Sequence, residues 1–125
     1  MKENNLQKKP SSAREYANLF LLDENGKKKD FSNVNSVCLI TIGCAETIWI
    51  LLEEFAGKGI TIIDRKSEID FIETLIKIHK RNDIRIIRKI EVETDEEAFS
   101  TILKLNMNMN TFDLIIANPP YGKIG

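Results

Sequence analysis

The residues best suited to chemistry are Asn118, Pro119, Pro120 and Tyr121, which follow the apolar run FDLIIA (112–117). Proline cannot donate to a sheet ladder, so Pro119 ends a strand there and Pro120 fixes the backbone beyond it. The Asn118 side-chain oxygen and the Pro119 carbonyl can then converge on one site as hydrogen-bond acceptors. The ring of Tyr121 offers a flat face for stacking. Two acceptors beside an aromatic face suit a planar amino group. A rigid loop that merely closes a strand explains one proline, but explains less well the full set of four.

Asp64 is the second candidate. It closes the run ITIID (60–64), 21 residues beyond Gly43. An acid at the end of a second parallel strand accepts hydrogen bonds from the ribose hydroxyls of a nucleoside cofactor. The competing role, capping the next helix, is expected to fall to Ser67. Asp95 has two readings of equal weight: contact with a cofactor base, or acid in the first turn of a helix. Ile42, Gly43 and Cys44 form the turn after the first strand and are the remaining cofactor-binding candidates. The segment GCAETI holds one glycine, so a phosphate-cradling G-x-G-x-x-G is absent and a dinucleotide is disfavoured. A nucleoside without phosphates demands less.

The elements that must hold these residues follow from periodicity. VCLITI (37–42), ITIID (60–64) and FDLIIA (112–117) are continuous apolar runs of the kind buried on both faces of a parallel sheet. IRIIRKIEV (84–92) is a more polar third strand. Between them lie a helix from Ala45 closed by Gly57 and Gly59, a helix with Ile69, Ile72, Leu75, Ile76 and His79 on one face, and a helix from Asp95 through Leu105. NMNMN (106–110) reads as a loop. Ahead of the first strand, Ser12 and Glu15 make a capping-box pattern opening a short amphipathic helix through Tyr16, Leu19, Phe20 and Leu22, which Asn25-Gly26 ends. Strand and helix alternation of this kind predicts an α/β, Rossmann-like, doubly wound parallel sheet. With about four strands it is incomplete. Residues 1–35 form an N-terminal polar tail, helix and basic loop, and residues 36–125 the partial sheet domain.

Composition narrows the function classes. The chain has 125 residues, with 18 basic and 19 acidic side chains and a net charge of −1, so it has no global pull toward nucleic acid. The cysteines Cys38 and Cys44 make neither a disulfide framework nor a zinc site and read as reduced core residues of a cytoplasmic protein. The apolar runs are too short and interrupted to span a membrane. Trp49 and His79 sit on helices where packing explains them.

FDLIIANPPYGKIG (112–125) resembles the catalytic segment of S-adenosylmethionine-dependent amino-methyltransferases, most closely the adenine-N6 DNA methyltransferases of restriction–modification systems. VCLITIGCAET is similar to the first cofactor loop of that family. Gly43 matches its first glycine, but Thr41 stands where an acid is usual, Ala45 where the second glycine falls, and Thr47 where a third often does. Asp64 matches the ribose-binding acid and Asp95 the acid near the cofactor adenine. The resemblance covers residues 36–125. It implies S-adenosylmethionine as cofactor, a flipped base stacked on Tyr121, and an amino group held by Asn118 and Pro119 for direct methyl transfer. Glutamine methyltransferases acting on release factors and guanine-N2 RNA methyltransferases carry a similar string, and a degenerate, non-catalytic α/β module is a third reading. Family members continue into further strands and a target-recognition region. The expectation is therefore an amino-terminal portion, inactive alone, that meets DNA only when a C-terminal chain or partner subunit completes it.

Overall fold

The computed structural model describes residues 12–109 and 112–118. In chain order the elements are α1 (Ala13–Leu21), β1 (Ser36–Ile40), α2 (Ala45–Glu54), β2 (Gly59–Asp64), α3 (Lys66–Ile78), β3 (Arg85–Glu91), α4 (Asp95–Met109) and β4 (Leu114–Ala117). The four strands make one parallel sheet in the order β3-β2-β1-β4. The order reverses after β3, so the chain crosses back to place β4 against β1. Ile40 stands level with both Ile63 and Ala117. The carboxyl ends of β1, β2 and β4 thus share one edge.

Two cores follow from the period-two alternation of the strands. On one face Val37, Leu39, Ile60, Ile62 and Ile116 pack with α1, α2 and α3 through Ala17, Leu21, Ile48, Leu51, Leu52, Ile69 and Ile72. On the other, Cys38, Ile40 and Ile63 pack with Ala98 and Ile102 of α4. The first face supplies most of the buried apolar surface, with each fully buried Leu or Ile stabilising by about 1.5–3 kcal/mol. Helices on both faces make the sheet doubly wound, as its alternating pattern predicts. Among the described residues no helix is long and apolar enough to cross a membrane.

β3 forms an edge strand whose burial alternates along its length. Its pairing with β2 shifts register between Ile60 and Thr61, which face Ile86 and Arg88 respectively. Ile87 is therefore the extra residue of a β-bulge and is 56% exposed.

Several boundaries differ from the sequence reading. β1 stops at Ile40 because Thr41 adopts φ 49°, outside the strand region. The α3 N-cap is Arg65, with no side-chain cap bond, so Ser67 lies inside the first turn and is not the cap. α4 continues to Met109, so the segment read as a loop from residue 106 is helical through residue 109. Its amino end is capped by Thr94, whose Oγ1 accepts from Glu97 N at 3.0 Å. The Ser12 cap is as expected, accepting from Glu15 N at 3.1 Å. α1 however ends at Leu21, before Asn25-Gly26, which instead turns the chain between the bridged Leu22 and Lys28.

Candidate functional site

The turn after β1 is bent by two residues in the left-handed region, Thr41 at φ 49° and Gly43 at φ 77°. Glycine meets that demand without steric cost. A β-branched residue does not, and a strained residue of this kind costs on the order of 1–3 kcal/mol and persists only where its surroundings over-determine it. Two hydrogen bonds fix this loop. Thr41 N donates to the Ile63 carbonyl at 2.8 Å, and Gly43 N donates to Asp64 Oδ2 at 3.0 Å.

Asp64 is thus the organiser of the loop. Its side chain is fully buried, and its second oxygen accepts from Arg65 N at 2.8 Å. A buried carboxylate is costly unless hydrogen-bonded, and here one backbone N–H serves each oxygen. Each oxygen keeps a further acceptor position. The Asp64 carbonyl accepts from Val92 N at 3.0 Å, tying β2 to the chain beyond β3.

Between the β1 turn and the end of β4 lies a cleft of about 190 Å³ lined by Ile42, Gly43, Cys44, Thr47 and Asn118, with Tyr16 and Phe20 of α1 as its far wall. This is below the ~300 Å³ at which small-molecule pockets usually begin, so it is too small to enclose a whole cofactor-sized molecule. A broader cleft of about 660 Å³ opens beside Arg65, Lys66, Glu91 and Glu93. Asp64 joins the two, being bonded to Gly43 on one side and to Arg65 on the other.

Of the candidate residues, Ile42, Gly43, Cys44 and Asn118 are brought together around the smaller cleft, and Asp64 stands directly behind it. Asp95 instead bonds a residue of the broader cleft: its Oδ1 accepts from Arg65 at 3.2 Å, an exposed pair of the kind worth under about 1 kcal/mol. Pro119, Pro120 and Tyr121 lie outside the described residues. The two cysteines part company. Cys38 is a core residue whose thiol burial pushes up to about 12, so it stays protonated, whereas Cys44 is half-buried, caps α2 without a side-chain bond, and lines the cleft.

Three wall residues were not among the candidates. Tyr16 and Phe20, four apart on α1, face the cleft together. Their spacing signalled a helix face but not its partner. Thr47, where a glycine is usual, donates its hydroxyl to the Ala13 carbonyl at 3.4 Å and so ties α2 to the start of α1. Its departure from the glycine pattern has a local use in holding the aromatic wall in place.

A family model, the Eco57I restriction-modification methylase, matches residues 17–125, which spans Phe20, the β1 turn and β4. No curated protein and no solved structure matches the chain.

Proposed function

The chain belongs to the Eco57I restriction-modification methylase family, and from that premise we propose that it carries the cofactor loop and amino-group site of an adenine-N6 DNA methyltransferase using S-adenosylmethionine. The observation that carries this reading is the meeting of Asn118 with Gly43 in one cleft, which puts an amide acceptor beside a loop of cofactor-binding type. The residues fit the cofactor in parts. The small cleft accepts a methionine-sized end, and the broader one beside Arg65 and Glu91 has room for a nucleoside.

When bound, the cofactor supplies an electrophilic methyl group on a sulfonium centre. The chain's own contribution is positioning. Asn118 accepts an N–H of the target amino group, which orients the nitrogen lone pair and draws electron density onto it. The Pro119 carbonyl adds a second acceptor and Tyr121 a stacking face for the flipped base. Gly43 lets the backbone approach without a side chain between, and Asp64 holds that loop in shape. Alignment of this kind can supply a large part of a rate enhancement. DNA is the proposed partner. A complementing chain or subunit is proposed to complete the sheet, since among the described residues β4 pairs only with β1 and Ile115 is 43% exposed.

Calorimetric titration with S-adenosylmethionine tests the reading. Saturable binding is expected, weakened at least about tenfold by Gly43→Val, because a β-branched side chain at φ 77° adds a second strained residue to a turn already strained at Thr41. Absence of binding to the wild-type chain, or equal binding by the variant, would sink it. Label transfer to adenine in DNA, and not to RNA or a protein glutamine, by the completed enzyme checks the substrate.

A further inference from the structure

We propose that Asp113 is a positioning residue, which sets the register of β4 and so delivers Asn118 to the cleft. This rests on the role given to Asn118 above. The need for such a residue is plain in the composition of β4. Leu-Ile-Ile-Ala is apolar at every position, so a slip along β1 exchanges one apolar side chain for another. Register is strongly specified where polar and apolar residues alternate and weakly specified where they do not. Yet the site tolerates no slip. Moving a strand by two residues carries its end about 7 Å along the sheet. That would withdraw Asn118 from Gly43 while leaving the same faces of β4 inside and outside.

Asp113 removes this freedom at the opposite end of the strand. Its Oδ2 accepts from Asn35 N at 2.9 Å and from Ser36 N at 3.2 Å. Its own N–H donates to the Ser36 carbonyl and to Ser36 Oγ, both at 3.0 Å. All these contacts bind the residue just before β4 to the residues that open β1, and none can survive a slip of even one position. The observed pairing of Leu114 with Val37 and Ala117 with Ile40 follows from that anchor. Hydrogen bonds to a charged acceptor contribute more than neutral ones, so even an exposed carboxylate can decide between registers that burial hardly distinguishes.

The test is an NMR study of the full chain as wild type, Asp113→Ala and Asp113→Asn, with Asp30→Ala as control. Asp30 accepts from Ser32 N in the exposed loop that precedes β1. In Asp113→Ala the contacts of Leu114 with Val37 and of Ala117 with Ile40 are expected to weaken or be replaced. The Asn118 side-chain amide signal should move, and β4 amides should exchange on the order of tenfold or more faster, a tenfold change corresponding to about 1.4 kcal/mol. Amides linking β2 to β3 should keep their protection. Asp113→Asn, which retains a neutral acceptor, should lie between Ala and wild type, and it serves alone should the Ala variant not fold. Binding of S-adenosylmethionine should weaken less than in Gly43→Val, because Gly43 and Asp64 are untouched and the cleft loses only its Asn118 wall. Unchanged β4 pairing and Asn118 signal in either variant would overturn the proposal, as would equal loss of protection in β2 and β3. Failure of the wild-type chain to bind the cofactor would instead strike the methyltransferase reading and leave the register result standing.

Discussion

At the amino end of the sheet, charged side chains reach across to backbone: Lys58 Nζ donates to the Phe31 and Val34 carbonyls at 3.0 and 2.6 Å, and Asp113 accepts from Asn35 and Ser36. At the carboxyl end the backbone itself is bent, through Thr41 and Gly43, around the buried carboxylate of Asp64. The first end also has left-handed residues, Gly57 at φ 88° and Lys80 at φ 52°, but they turn the chain after α2 and α3, and side chains tie the end together. The second places its left-handed residues in the wall of a cleft. A sheet so constructed can hold strand order and register from below while the upper loops keep the shape that a ligand requires. The same division explains why a residue far from the cleft, such as Asp113, can matter to where it lies.

The contrast can be broken most severely through Asp64. Asp64→Ala removes the acceptor of two backbone N–H groups in a buried setting, and about 2–4 kcal/mol of stability should be lost in urea denaturation. Exchange at Gly43 should quicken more than at Ser36, since the carboxyl end loses its organiser while the amino end keeps its own. Equal quickening at both would deny that the ends are separately held. A smaller effect is expected of Lys58→Met, which retains the aliphatic stem but frees two carbonyls; about 1–2 kcal/mol should be lost, with cofactor affinity unchanged. The smallest comes from Thr41→Gly. Relief of left-handed strain, about 1–2 kcal/mol, is offset by the entropy of an added glycine, so a net gain below about 1 kcal/mol is expected as a rise in melting temperature. A loss of stability there would mean that the Thr41 side chain packs more favourably than its torsion costs.

Much of this arrangement is legible in the residues. Three apolar runs with intervening amphipathic segments yield the parallel order of elements, and the polar third run corresponds to an edge strand. What escapes is conformation decided by neighbours. Thr41 and Ile42 continue the apolar pattern of VCLITI, yet the chain leaves the strand at Thr41 because Ile63 and Asp64 hold the turn by hydrogen bonds that no local pattern reveals. Ser67 has the right type for a cap but sits two positions too late. The helix after Asp95 runs on into an Asn-rich stretch of poor intrinsic propensity, continuing a helix already nucleated by the Thr94 cap. Asn118 was legible as a site residue, but Tyr16 and Phe20 were legible only as an apolar face. Their partner is set by the docking of α1 on α2, a tertiary fact.

The bulge at Ile87 has a consequence for the behaviour of the protein at high concentration. An open parallel sheet presents an unpaired backbone row at its rim, which invites another molecule to add a strand. On β3 the extra residue breaks that row, and Arg88 directs a cation inward across from Thr61, while Arg85 and Lys89 add charge along the same strand. A kinked, cationic rim is a poor template for intermolecular β-pairing and for fibril growth. This side of the molecule carries its own protection against aggregation.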